Sequence, residues 1–188
     1  RQAGLAPLAE SLLSDPSLDP AVEAARFLRE PFTDDDGDNP GVADAKAALD
    51  GARQILMEMF AEDAELLGQL RAHVNSVGVV VSKVAEGKEE AGAKFRDYFD
   101  YSEPLANVPS HRALALFRGR SEEVLRVALK LPEELLPAEQ VPPGTQNSCE
   151  VKIASRHGVR DQGRPADAWL LDTVRWTWMV KLSFHLEA

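Results

Sequence analysis

Apolar side chains recur at helical spacing through the first 76 residues, and at Gly78 that period breaks into a β-branched run. The break constrains the fold strongly. Helices must cover their apolar stripes against one another, and a strand that follows them needs a partner further along the chain. Leu5, Leu8, Leu12 and Leu13 form the first stripe. Asp19-Pro20 opens a second short helix through Val22, Phe27 and Leu28, because proline suits a first helical turn, and Pro31 should end it. Thr33–Gly41, TDDDGDNPG, reads as a loop by composition. Helical spacing resumes at Val42 with Ala45, Leu49, Ala52, Ile55, Leu56, Met59 and Phe60. A further helix from Asp63 to Ser76 carries Leu66, Leu67, Leu70 and Val74.

Beyond the break, Val79, Val80, Val81 and Val84 suggest a short strand. Glu89–Tyr101 returns to a helical reading, with Phe95, Tyr98 and Phe99 on one side. Ser110 is a suitable N-cap for a helix through Ala113, Leu114, Leu116 and Phe117 that Gly119 would stop. From Val124 to Leu131 the residues alternate, with Leu125, Val127, Leu129 and Leu131 facing one way and Arg126 and Lys130 the other. The expected fold is therefore mainly α and multi-helical, with a small two-stranded antiparallel β element pairing Val79–Val84 with Val124–Leu131. Pro132–Ser148 reads as a proline-rich linker, Cys149–His157 as a helix of about two turns, and Pro165 onward as a last helix through Trp169, Leu170, Val174, Trp178 and Leu182. Four segments result: acidic helices over 1–76, a strand-helix-helix-strand unit over 77–131, the linker over 132–148, and C-terminal helices over 149–188. The chain stops at Ala188 while still periodic and uncapped, which reads as a cut.

The bulk numbers exclude several classes. With 44% hydrophobic and 28% charged residues among 188, the chain can bury a core and is not disordered. No apolar run approaches the roughly 20 residues that span a bilayer, and the N-terminus lacks the layout of a signal peptide. The single cysteine, Cys149, can form no internal disulfide. The expected location is the cytoplasm. Net charge is −10, and it is uneven: residues 1–70 carry 15 acids against 5 bases, 71–130 carry 8 against 10, and 131–188 carry 8 against 6. The first third would repel nucleic acid, so any such contact must come from the middle.

Catalytic and metal constellations are not apparent. Asp34, Asp36 and Asp38 fit the first acids of a calcium loop, but Asn39 and Ala45 stand where the turn glycine and bidentate glutamate belong. A solvated acidic loop accounts for them better. His73, His111, His157 and His185 lack zinc spacing, and His111 beside an N-cap suits a local hydrogen bond. Cys149 reads as a buried or idle thiol. Glu89-Glu90 and Glu122-Glu123 are adjacent pairs whose carboxyls diverge on a helix, so they do not suit paired acid–base chemistry. The expectation is a non-enzyme with no cofactor, no metal and no small-molecule substrate.

The basic set is more informative. Lys83, Lys88, Lys94, Arg96, Arg112, Arg118, Arg120 and Arg126 are interleaved with Phe95, Tyr98, Tyr101 and Phe117. Arg112, Arg118 and Arg120 are the candidate nucleic-acid contacts. They can bridge to phosphates, or pair with a helix C-terminus and with Asp97, Asp100 and Glu103. At about 100° per residue, Trp169 and Trp176 lie near each other and Trp178 falls roughly 200° from Trp176. One tryptophan face is core and the other docks on a neighbouring element.

Two long stretches, GKEEAGAKFRDYFDYSEPLANVPSHRALALFRGR (Gly87–Arg120) and GRPADAWLLDTVRWTWMVK (Gly163–Lys181), closely resemble the bacterial Tex-like transcription accessory proteins. Weaker agreement around Leu5–Leu13 and Val42–Arg71 extends the resemblance over most of the chain. Thr33–Asn39 looks inserted, and Ser148–Gly158 follows a loosely matching linker. The resemblance implies a helical region ahead of a ribonuclease-H-like domain of the YqgF type, with helix-hairpin-helix elements and an RNA-binding OB-fold lying elsewhere. It implies a scaffold that positions those modules, with nucleic acid met mainly through them. The alternative is a protein-docking module whose acidic N-terminal helices bind a basic partner of the transcription or translation machinery.

Overall fold

The computed structural model describes residues 4–142 and 144–183. His185 lies outside them. The fold is mainly α, and the chain forms two compact units: one holds the residues up to Leu67 and those from Glu150, and the other is Gly68–Cys149.

In the first unit, α1 (Ala6–Ser14) buries Leu8, Ala9 and Leu12 as its stripe requires. The helix α2 (Pro20–Ala24) starts where Asp19-Pro20 predicts, the Asp19 carboxylate accepting the amides of Ala21 at 2.9 Å and Val22 at 3.3 Å. It buries Ala24 and leaves Val22 exposed, and Leu28 beyond it is exposed as well, so the inward face is not the expected one. The acidic loop also differs from expectation. Phe32–Asp34 (β1) and Gly37–Asn39 (β2) pair as a hairpin, in which Thr33 donates to Asp38 at 2.7 Å and Asp34 accepts the Asp36 amide at 3.0 Å. The aspartates cap their own turn. Val42 bridges to Arg29 instead of starting a helix, and α3 (Ala45–Ala61) begins behind the Asp44 cap, which accepts Ala47 N at 2.8 Å. Its buried face is Ala48, Ala52, Leu56, Met57 and Phe60, while Met59 points out.

The last helix, α7 (Asp167–Trp176), continues as a π-helical stretch over Thr177–Leu182. Thr173 and Thr177 each donate to the carbonyl four residues back, at 2.8 Å, and Thr177 does so where the helix begins to widen. Trp178 is buried and Trp176 is not, which fits the angular separation expected of them. Arg53 ties α3 to α7: its Nε donates to Thr173 at 3.0 Å, its Nη2 sits 3.3 Å from Asp172, and its guanidinium faces the Trp169 ring at 5.3 Å. Asp167 is buried, which opposes its ionisation. The Arg164 side chain and the amides of Gln162 and Arg164 nevertheless hold its carboxyl below the ordinary range.

The helix α4 (Ala64–Val77) begins at Asp63, whose carboxylate accepts Leu66 N at 3.1 Å and binds Arg156 Nε at 2.8 Å. Beside it His157 packs on the Phe60 ring, with centroids 4.3 Å apart, and its Nε2 lies 3.6 Å from Asp63. Burial holds the His157 pKa below its ordinary 6.5 despite the neighbouring carboxylate. The sign follows: as pH falls through 6.5 the unfolded chain takes up a proton that the folded chain resists, so stability drops. Thermal melting across about pH 8 to 5 should show that loss, and His157→Gln should flatten the curve in this window.

The second unit carries the three-stranded antiparallel sheet β4-β3-β5. Strand β3 (Val79–Val84) pairs with β5 (Leu125–Lys130) from Val79↔Lys130 to Val84↔Leu125, the pairing expected from the two apolar patterns. Its other edge is filled by β4 (Asp100–Pro104), which begins within the last two residues of the helix expected over Glu89–Tyr101. The chain reaches β4 through turns and a 3₁₀ segment at Ala93–Tyr98 whose Phe95 is non-helical. An unpaired edge on β3 would leave its amides and carbonyls without partners, and β4 supplies them. Val80, Phe95, Leu116, Val124 and Leu125 form the core of this unit, with Tyr98, Phe99, Tyr101, Val127 and Leu129 around it.

The helix α5 (Ser110–Ser121) starts at Ser110 itself, without a side-chain cap, and runs past Gly119. That glycine is a packing residue, since a Cβ there would come 2.4 Å from Leu125 Cδ1. The helix ends at Ser121, and the chain turns away at Glu123, which has φ 61°. The proline-rich segment folds into two 3₁₀ turns, Pro132–Leu135 and Ala138–Gln140. Helix α6 (Ser148–Arg156) follows, and Cys149 at its start is buried.

Candidate nucleic-acid interface

The expected contact residues all lie on α5, but the helix separates them. Arg112 turns toward the sheet, its Nη1 3.1 Å from Glu103 Oε2, and the Tyr101 hydroxyl donates to the same oxygen. Tyr101 and then Arg112 hold the Glu103 carboxyl below its usual range, while burial and this carboxylate push the Tyr101 phenol up. Arg112 is thus engaged in an internal network on the sheet side. Arg118 and Arg120 point outward. The Arg118 side chain is 71% exposed and its Nε lies 3.3 Å from Glu122, which also takes Lys94 at 2.7 Å. Lys94, then Arg118, hold Glu122 below the ordinary carboxylate range. The Arg120 guanidinium sits over the Phe117 ring, 5.4 Å from its centroid.

Sequence reading missed that Leu114 and Phe117 are not core. Leu116 and Gly119 take the buried positions, and Leu114 is 69% and Phe117 54% exposed. A usable signal was present: Pro104–Ser121 contains no acid, in a chain with 31 Asp and Glu. The remaining basic candidates are spread out. Lys83 pairs with Asp100, and Arg126 lies on the outward side of β5.

Two other groupings of polar side chains lie away from α5. His73 Nε2 lies 2.7 Å from the Ser148 hydroxyl, and the Glu133 carboxylate accepts the Ser148 amide at 2.6 Å. The acid holds the serine backbone at the start of α6, so the cluster works as a helix cap. The hairpin acids Asp34, Asp35, Asp36 and Asp38 are exposed. Among the described residues, no group of three His, Cys, Asp or Glu side chains is placed to hold a metal ion, and no helix is long and apolar enough to cross a membrane.

The first unit presents a different surface. An open groove of about 740 Å³ is lined by Leu5, Val42, Arg53, Met57, Trp176 and Val180, among others. Trp176 is 44% and Val180 49% exposed, and Met179 beside them is exposed as well. The lining is mixed: these exposed apolar side chains stand beside Asn39, Asp50, Arg53 and Gln54.

The described residues thus form a helical unit of stapled long helices and a small sheet unit bearing an acid-free cationic helix. The family model for the Tex central region matches residues 15–188. The chain is 51% identical to Protein YhgF of Escherichia coli, over 99% of this chain and 22% of that protein. It is 47% identical to Protein tex of Bordetella pertussis, over 100% and 23%. It is 46% identical to the transcriptional accessory protein Tex of Neisseria gonorrhoeae, over 98% and 22%. The chain belongs to the Tex family, as its central region, and it spans under a quarter of the length of these curated relatives.

Proposed function

We propose that this chain is a non-enzymatic helical scaffold within a cytoplasmic transcription accessory protein, seating nucleic-acid-binding modules that lie outside it. The observation that carries the reading is the groove in which exposed Trp176 and Val180 stand, beside α3 and the last helix that Arg53 holds together. Exposed aromatic and aliphatic anchors in a concave face are the usual centre of a protein–protein contact. Nucleic acid is then met mainly by the seated modules, with Arg118 and Arg120 as a secondary contact.

Calorimetric titration of the chain into YhgF lacking its matching segment tests the scaffold. Association is expected, and Trp176→Ser with Val180→Ser should weaken it at least about tenfold, on the order of the cost of removing one buried anchor. Absence of association, or association indifferent to both substitutions, would overturn the scaffold.

A second reading is favoured by the exposed hairpin acids: docking of a basic protein of the transcription or translation machinery. Replacing Asp34, Asp35, Asp36 and Asp38 by Asn would abolish that docking and leave the groove contact intact. Asp63 does not belong in such a test, because it binds Arg156 and caps α4.

A further inference from the structure

We propose that the outer face of α5 is a stacking site for single-stranded nucleic acid, with Phe117 and Leu114 as the ledge for a base and Arg118 and Arg120 as the phosphate contacts. The inference deepens the secondary nucleic-acid contact assigned above and rests on it.

The helical spacing places these residues together. Leu114 and Phe117 are three apart, Leu114 and Arg118 four, and Phe117 and Arg120 three, so each pair is adjacent on the helix surface. Leu114 at 69% and Phe117 at 54% are unusually exposed for large apolar side chains, and neither belongs to the core of this unit. A core helix would turn both inward. Here the inward side is taken by Leu116 and Gly119, and the apolar pair faces solvent between arginines.

Charge selects the ligand class. The chain carries −10 overall, yet α5 holds three arginines and one histidine and no acid. At the end of the helix, Lys94 and Arg118 share the single carboxylate of Glu122, which leaves a cationic surplus, and Arg120 has a ring beneath it in place of a counter-ion. A polyanion with flat apolar faces matches both features. Every base offers a π-face to an aromatic side chain, and such stacking adds to phosphate contact without sequence preference. A duplex keeps its bases stacked internally, so it would meet only the arginines.

The test is fluorescence anisotropy of the full 188-residue chain with labelled oligo(U) of about 15 nucleotides and a duplex of the same length, at about 50 and 200 mM salt. Phe117→Ala is expected to weaken oligo(U) binding at least about fivefold with the salt slope unchanged, whereas Phe117→Trp preserves it. Leu114→Ala should weaken it less. Arg118→Ala with Arg120→Ala should lower the single-strand slope by about 0.7 for each phosphate that is no longer neutralised. Both apolar positions are exposed, so matching melting curves will show that the variants fold. Oligo(U) binding that depends on the arginines but ignores Phe117→Ala overturns the stacking site and leaves a purely electrostatic contact. No oligo(U) binding at the lower salt overturns the stacking site and the nucleic-acid contact together, while the scaffold stands on its own titration. An acidic amphipathic peptide that binds through Leu114 and Phe117 where oligo(U) does not would overturn the stacking site and assign this face to a protein.

Discussion

Phe60→Ala should lower the stability of the first unit by about 3–5 kcal/mol, the range for removing a fully buried aromatic ring. Phe60 has no exposed surface and forms the wall against which His157 packs. Chemical denaturation of both proteins would give the difference from the shift in midpoint. The substitution also carries an electrostatic signature. Without the ring, water reaches the imidazole, and the burial that holds the His157 pKa below 6.5 is relieved. The acid sensitivity between neutral pH and about pH 5 should therefore shrink as the overall stability falls. A change under about 1 kcal/mol would be inconsistent with a close-packed site.

Gly41→Ala should destabilise the same unit by at least about 2 kcal/mol, from the combined cost of a left-handed backbone and a backbone clash. Gly41 has φ +72°, and a Cβ there would come 2.3 Å from the Arg29 carbonyl oxygen and 2.6 Å from the Glu30 carbonyl carbon and oxygen. These atoms cannot move aside cheaply, because Arg29 and Val42 exchange two backbone hydrogen bonds of 2.9 and 2.7 Å across this point. Gly41 and Val42 also line the groove beside Trp176. Gly41→Ala should thus weaken both the fold, read by thermal melting, and the seating of a module, read by the same titration. Unchanged melting would mean that the Arg29–Val42 bridge is not held in this geometry.

The two effects show why the helical part of the fold was legible and the hairpin was not. The stripes of α1 and α4 and the Asp19-Pro20 start of α2 are local patterns, and each was realised at or near its place. Alternation in Leu125–Lys130 and the β-branched run in Val79–Val84 likewise named each other as partners. The acidic stretch Thr33–Asn39 has the composition of a loop, and only its own side-chain bonds and the Arg29–Val42 bridge turn it into a hairpin. Asp100–Pro104 has weak strand character. It became β4 because β3 had a second edge to satisfy.

The candidate interface divides in the same way. That the middle third is the cationic part of an acidic chain follows from counting residues, as does the presence of Arg112, Arg118 and Arg120 on one helix. Which of them meets solvent does not. A single helix with apolar residues on several sides has no preferred inward face until something packs on it. The sheet supplied that surface: Leu125 accepts Gly119 at close range, Leu116 enters the core, and Glu103 with Tyr101 draws in Arg112. The helices, the strand pair and the distribution of charge are written in the order of residues alone, because they depend on period and composition. Packing between elements left Leu114, Phe117, Arg118 and Arg120 outside, because burial of one helical face necessarily exposes the other.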